Sequence, residues 1–462
     1  MTAGKHFDVL VLGGGAGGVA AAVRAAQLGG HVAVVEPRYL GGFCVNRGCI
    51  PFGYTLAATR TRGDLVFGKD LGIHCSSSEL NSETHAKKRA ELISFLRQGI
   101  AALLKRHHIE LIPGPGRLRE PGKVDVRGKV FSGSKIILAT GAGRFKFKTD
   151  GIDARNVSSS DILLTTQERP RSCLLLGDNP KIIEIAQILQ RLGSQVWLAT
   201  EEKALLHDES KAIRTRLTKA LRKDGINVLT RCRVPSSDRT GEGLRCILKG
   251  KDREERITVD RVIRLKRDAG LTELGLEAAS LKGERGIIEV NERMETGVDG
   301  IYAIGDLTAP EDRRYSHLAS AGGIVAAENA MGLERCIDRR TVSRVAFTQP
   351  QVACVGLSET EAKREGFEVI TGTAPLAMNP VGMLTAQSEG IVEVVASKRN
   401  GEILGLHMLG ESAGEMAAQA VLAMQLEATL EDLAGTTLPH PTLSESLAEA
   451  ARDCLGRPIY LP

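Results

Sequence analysis

Long apolar runs are missing from this sequence. None reaches the roughly 18 residues that a helix needs to span a bilayer, so membrane insertion is not expected. Low-complexity linkers are missing too, and the 462 residues should fold as directly joined domains, two to four by length. Charge of one sign does not dominate. The net charge of +5 is spread along the chain, and basic pieces such as Lys105-Arg106-His107-His108 carry no interleaved aromatics. They read as solvated surface and not as a nucleic-acid footprint. Met1 to His6 is short and polar and runs straight into a strand pattern, so no signal or transit peptide is expected. A cysteine framework is also lacking. The nine cysteines (Cys44, Cys49, Cys75, Cys173, Cys232, Cys246, Cys336, Cys354 and Cys454) are odd in number and scattered. That argues against a secreted disulfide scaffold and for a cytoplasmic protein with mostly reduced thiols.

What is present is a globular composition, 42% hydrophobic and 25% charged, with 51 glycines that imply several tight turns. Phe7 to Leu12 is a buried parallel-strand pattern that runs into Gly13-Gly14-Gly15-Ala16-Gly17-Gly18. An Ala-rich helix pattern follows to about Leu28, then a strand from His31 to Val35 ending at Glu36. A G-x-G-x-x-G alone is weak. Set between strand and helix, with an acid about 20 residues on, it marks a dinucleotide site. Gly13 permits the tight turn, Gly15 lets the backbone approach a pyrophosphate, and Gly18 lets the helix pack on the strand. The pyrophosphate would lie at the positive helix N-terminus, and Glu36 would accept from a ribose hydroxyl.

Gly41-Gly42-Phe43-Cys44-Val45-Asn46-Arg47-Gly48-Cys49-Ile50-Pro51 then places two cysteines five positions apart. In a reducing compartment such a pair is a redox couple or half of a metal site. A zinc site needs two further ligands at recognisable spacing, and His74-Cys75 is the nearby candidate. Helix patterns follow over about Phe52 to Arg62 and Ser82 to His107. Short strands with Gly/Pro turns begin at Leu111 and close with the buried run Ile136-Ile137-Leu138-Ala139-Thr140-Gly141-Ala142.

An internal repeat comes next. A shift of 164 positions lays the segment from Arg171 to Thr200 on that from Phe7 to Glu36 without a gap. Gly177 falls on Gly13 and Gly193 on Gly29, so a second βαβ unit is expected. Its fingerprint is broken: Gly15 becomes Asn179, Gly18 becomes Ile182 and Glu36 becomes Thr200, while Asp178 adds negative charge where a pyrophosphate would lie. After it, Gly300-Ile301-Tyr302-Ala303-Ile304-Gly305-Asp306 is a short strand ending at an acid, followed by a helix from Ser316 to Ala330. From Val345 strand and helix patterns alternate as in an α+β domain.

With these motifs in hand the chain resembles the flavin-dependent pyridine nucleotide–disulfide oxidoreductases, most of all the dihydrolipoamide dehydrogenase branch. The resemblance extends through Phe347-Thr348-Gln349-Pro350-Gln351-Val352-Ala353-Cys354-Val355-Gly356, Leu404-Gly405-Leu406-His407 and His440-Pro441-Thr442-Leu443-Ser444-Glu445. It implies an α/β fold. Two Rossmann-like three-layer domains would cover 1–148 with 272–338 (FAD) and 149–271 (NAD(P)-binding-like), and a C-terminal α+β dimerisation domain would cover 339–462. It implies FAD at Gly13, Gly15, Ala16, Gly18, Glu36, Gly42, Gly114, Thr140, Gly141, Asp306, His317 and Ala319, with Asp306 on the ribityl chain. Locally, His317 also reads as a structural residue. Cys44 would be the interchange thiol and Cys49 the charge-transfer thiol beside the flavin. His440, from the other subunit of a homodimer and oriented by Glu445, would be the acid–base. Thiolates are the nucleophiles in such exchange, so a base must take and return a proton. The implied substrate is a dithiol, a lipoyl group on a carrier protein.

Departures cluster in one function. The family's Ile-Pro-Ser-Lys is Ile50-Pro51-Phe52-Gly53 here, which removes the lysine that pairs with the position of Glu184. The usual Gly-Arg-x-Pro-Asn is Lys266-Arg267-Asp268-Ala269-Gly270. Together with the broken turn, these changes lead us to expect weak or absent NAD(P)H binding, with a partner protein or quinone as acceptor. The other reading is working but unusual binding, with Glu201 as the ribose acid. Two rival functions are a mercuric-reductase-like metal or disulfide reductase, and a flavoprotein scaffold without turnover. The C-terminus from Gly456 to Pro462 lacks paired cysteines, which weighs against the first. The retained Cys44, Cys49, His440 and Glu445 weigh against the second.

Overall fold

The computed structural model describes residues 5–74, 79–143, 152–159, 169–251, 254–265, 271, 274–281, 283–284 and 286–462. The chain divides into two compact units. One comprises Met1–Phe147, Ser159–Gln167 and Lys266–Asp338; the other comprises Lys148–Ser158, Glu168–Leu265 and Arg339–Pro462.

The first unit is built on a mostly parallel sheet. Strands β1 (His6–Leu12), β2 (Val32–Glu36), β3 (Glu110–Pro113), β4 (Gly116–Glu120), β5 (Lys123–Val126) and β6 (Lys129–Leu138) lie in the order β3-β2-β1-β6-β5-β4. Strand β17 (Ile301–Ala303) pairs in parallel with β6. Strand β1 is buried on both faces, as a near-continuous apolar run in a parallel sheet requires. Phe7, Leu10 and Leu12 pack into one cluster. Val9 and Val11 pack into another, with Ala21, Ala22 and Ala25 of helix α1 (Ala16–Gln27). Helices α2 (Gly42–Arg47), α3 (Cys49–Phe67) and α4 (Ser82–Arg106) follow β2. Residues β15 (Gly283–Glu284) and β16 (Ile287–Ile288) form a short antiparallel pair.

The second unit carries three sheets. Strands β7 (Val157–Ser158), β8 (Ser172–Leu176), β9 (Gln195–Ala199), β10 (Asn227–Leu229) and β14 (Arg261–Arg264) form a parallel sheet in the order β10-β9-β8-β14-β7. Helices α5 (Pro180–Arg191) and α6 (Lys211–Lys223) belong to it. Strands β11 (Arg233–Thr240), β12 (Gly243–Lys249) and β13 (Glu254–Val259) are an antiparallel meander. The C-terminal sheet is antiparallel, with β18 (Arg344–Ala346), β19 (Gln351–Gly356), β20 (Val369–Pro375), β21 (Ile391–Ser397) and β22 (Ile403–Gly410) in the order β18-β19-β22-β21-β20. The expected α/β architecture, with two Rossmann-like sheets and a C-terminal α+β part, is the one observed. Among the described residues no helix is long and apolar enough to cross a membrane.

Candidate redox site

The first glycine turn is open at the end of the helix it starts. The N-cap of α1 is Gly15, and no side chain caps it. A Cβ added to Gly15 would meet nothing nearer than Gly42 Cα, at 3.8 Å. Gly13, at φ +111°, lies against the chain after β6: its added Cβ would fall 2.4 Å from Ala139 O and 3.0 Å from Thr140 Cα. A Cβ on Gly18 would fall 1.8 Å from Gly13 O, so α1 meets the glycine turn's first residue at backbone contact. The Glu36 carboxylate accepts from Gly14 N–H at 2.8 Å and from Arg38 N–H at 2.9 Å, which fixes it beside the turn. An open helix N-terminus, a turn with no side chain over Gly15 and a fixed acid fit a dinucleotide pyrophosphate and ribose.

The cysteine pair is attached to this turn. Gly41 N–H donates to Gly14 O at 2.7 Å. A Cβ on Gly42 would fall 2.8 Å from Gly15 Cα. Both glycines have positive φ, +89° and +56°, which lets the chain enter α2 so close to the turn. Cys44 lies in α2 and is half-buried, while Cys49 opens α3 and is exposed. Asn46 holds α2 by donating to Leu40 O and Gly42 O. The short helix around Cys44 was not foreseen from the sequence.

The hydrogen bond to Cys49, then burial, then the charge of Cys49 push the Cys44 thiol far above the ordinary cysteine range; Ser316 opposes them. Ser316 Oγ lies 3.5 Å from Cys49 Sγ, a contact the sequence reading missed. It opens α7 (Ser316–Ala330), ten residues after Asp306.

The other expected cofactor residues are placed as follows. Ala16 opens α1. Gly141 follows β6 at φ +71°. Buried Gly114, at φ +150°, donates to Glu36 O at 3.0 Å. Asp306 sits in a single 3-10 turn, Gly305–Leu307, directly after β17. The Ala319 carbonyl lies 2.7 Å from where Gly17 would carry a Cβ, so α7 packs tightly on α1. His317 is exposed and stacks on Tyr315 at 5.2 Å.

In the second unit, His440 Nδ1 lies 3.0 Å from Glu445 Oε1, and Thr442 N–H donates to Oε2 at 2.9 Å. Burial would raise the Glu445 pKa; the bonds from Thr442 and His440 outweigh it and hold the carboxyl below its usual range. The anionic carboxylate fixes Nδ1 as the protonated nitrogen, which leaves Nε2 as the basic one. The His440 side chain is 68% exposed.

The second glycine turn is closed. Asn179 Oδ1 caps α5 by accepting from Ile182 N–H at 3.1 Å. Pro180 at N1 contributes no N–H. Ile182 is fully buried in the place of Gly18. Asp178 accepts from His207 Nδ1 at 2.7 Å. Thr200, in the place of Glu36, accepts from Glu202 N–H, and Glu201 is exposed. Buried Glu184 has Lys181 Nζ at 2.6 Å and Phe347 N–H at 2.9 Å, so its cation now comes from its own helix. A Cβ on Gly53 would face open space. Cys75 and 266–270 lie outside the described residues.

Comparison with known proteins agrees with this construction. Residues 7–332 match the family model described as pyridine nucleotide-disulphide oxidoreductase, and 342–451 match that family's dimerisation domain. A dihydrolipoyl dehydrogenase of Thermus scotoductus is 36% identical over 99% of each chain. One of Bacillus subtilis is 32% identical over 98% of this chain and 99% of its own. In fold, the chain is similar to LpdA of Mycobacterium tuberculosis, with a TM-score of 0.87 and 24% identity over 97% of this chain and 99% of that one. The chain thus belongs to the pyridine nucleotide–disulfide oxidoreductases, as a flavin-dependent, dihydrolipoyl dehydrogenase-like enzyme.

Proposed function

We propose that this enzyme works as a homodimer that oxidises a dithiol, the lipoyl group of a carrier protein, through Cys44 and Cys49, and passes the electrons to an acceptor other than NAD(P). The observation that carries this reading is the attachment of the cysteine helix to the open glycine turn through Gly41 and Gly42. FAD, when bound on that turn, supplies a two-electron acceptor within one structural piece with the thiols.

In the oxidised couple a substrate thiolate attacks Cys44 Sγ, the Cys44–Cys49 bond breaks, and Cys49 leaves as a thiolate. The second substrate thiol, deprotonated by His440, displaces Cys44 and closes the substrate disulfide. Glu445 stabilises the imidazolium and keeps His440 in the required tautomer. The partner subunit supplies this pair, consistent with its exposure. The closed second turn, with Asn179 and Pro180 at the helix start and Asp178 beside them, supports weak NAD(P)H binding.

Anaerobic titration of the flavin tests both halves of this reading. Dihydrolipoamide should reduce it stoichiometrically, whereas NADH and NADPH at micromolar concentration should not. Stoichiometric reduction by either nucleotide overturns the acceptor assignment. Cys44→Ser or Cys49→Ser should lower dithiol-driven reduction by about a thousandfold or more; retained activity overturns the exchange assignment.

A further inference from the structure

The C-terminal sheet carries a polar row across an otherwise apolar surface. Antiparallel register sets Arg344 opposite Cys354, Cys354 opposite His407, and His407 opposite Glu393. The alternate residues Ala353, Val355, Leu406 and Met408 pack into the apolar core on the other face. Opposite the row, the segment before α6 brings in Glu209 and Ser210, with Ser210 Oγ donating to Glu393.

Within this row three different donor types converge. A Glu209 carboxylate oxygen, Cys354 Sγ and a ring nitrogen of His407 all lie within 4.8 Å of one another. Cys354 and His407 are both fully buried. His407 Nε2 faces the Leu357 carbonyl at 3.0 Å, and a carbonyl only accepts, so Nε2 carries the proton. Nδ1 is then an unprotonated lone pair, and it has no hydrogen-bond partner among the described residues. A buried acceptor without a partner is costly in an ordinary core. A ring nitrogen oriented through its other nitrogen by a backbone carbonyl is the usual preparation of a metal ligand.

Charge selects the ion. Arg344 grips Glu209 with Nε and Nη2 at 2.7 and 2.9 Å, so the carboxylate is already neutralised. The Cys354 thiol carries a proton that an incoming ion can replace, and the Glu393 carboxylate lies opposite His407 in the same row. A monovalent ion that takes the place of the thiol proton leaves the charge unchanged. Thiolate with imidazole suits a soft ion.

We propose that Cys354 and His407, closed on one side by Glu209, form a binding site for a soft monovalent metal ion of the Cu(I) type. Binding breaks the S–H bond, forms an S–Cu bond and releases one proton to solvent past Glu209; no electron is transferred. The Glu209 side chain is 11% exposed and marks the edge through which ion and proton pass.

The test uses the FAD holoenzyme carrying Cys44→Ser and Cys49→Ser, so that the exchange pair takes no copper. Cu(I) is added anaerobically in competition with bathocuproine disulfonate. One copper per chain should be retained, and Cys354→Ser or His407→Gln should each weaken that retention at least tenfold. Replacing the exposed Cys336 by Ser should leave it unchanged. Equal retention in the Cys354 variant, or loss with Cys336→Ser, overturns the proposal. So does Zn(II) held as tightly as Cu(I). If the core variants lose their flavin, X-ray absorption of the copper-loaded parent decides: a mixed sulfur and nitrogen shell supports the site, and a sulfur-only shell overturns it.

Discussion

In the first βαβ unit the turn offers amides and takes its carboxylate from outside: Gly14 N–H donates to Glu36. In the second, the residue at the same place is Asp178, which brings a carboxylate of its own and takes an imidazole from His207. At the start of α1 no side chain among the described residues caps the helix; at the start of α5 Asn179 does. Helix N-termini bind anions because their first N–H groups lack partners. The second unit has filled that role internally, with an Asn oxygen on the amides and an Asp on the turn. The same βαβ backbone thus carries an uncapped turn in one copy and an internally capped turn in the other.

The largest effect should follow from moving the second unit's residue into the first. Gly18→Ile places a branched side chain where even a Cβ would lie 1.8 Å from a backbone oxygen. No rotamer relieves a backbone clash, so α1 must lift off the glycine turn at a cost of several kcal/mol. The purified protein should lose FAD at least tenfold by its visible absorbance. A normal flavin content would mean that tight helix–turn contact is not what the first turn needs.

The reverse exchange should be milder. Asn179→Gly with Pro180→Ala removes the internal cap and restores an N–H. Glycine in place of an Asn cap costs only a few tenths of a kcal/mol, so folding should survive. If the cap is what closes the turn, NADH-driven flavin reduction should rise by about tenfold, or ~1.4 kcal/mol. No rise would place the closure in Ile182 or Asp178 instead.

Much of this comparison was legible in the sequence. The shift of 164 residues lays Pro180–Arg191 on Ala16–Gln27 end to end, so the helix of the second unit was placed by arithmetic alone. Hydrophobic periodicity survives because the core of each unit still demands it. The internal ligands were harder to see. His207 lies 29 residues from Asp178, and nothing local signals their meeting. Ser316 is 267 residues from Cys49, and only the return of the chain through β17 brings it there. The sequence reading passed over Lys181, three residues before Glu184. The loss at Gly53 drew attention to the partner that was gone, whereas the structure shows the one that replaced it.

The smallest effect concerns the Asp178–His207 pair and tests whether the internal anion matters to the fold. Burial lowers the His207 pKa, but its bond to Asp178 and the charges of Asp208, Asp178 and Glu202 outweigh that and raise it. A raised folded-state value means that the fold favours the imidazolium. The pair's stabilisation is therefore full below the ordinary histidine value of about 6.5 and is lost as pH rises through the folded value. Asp178→Asn removes the strongest raising partner. The variant should melt below the parent at about pH 5.5 and alongside it at about pH 8.5. The His207 side chain is 38% exposed, so solvent screens the pair. The difference at acid pH should be about 1–2 °C. A difference that grows toward alkaline pH would mean that Asp178 acts on some group other than His207, and that the second turn is not closed by an ion pair of its own.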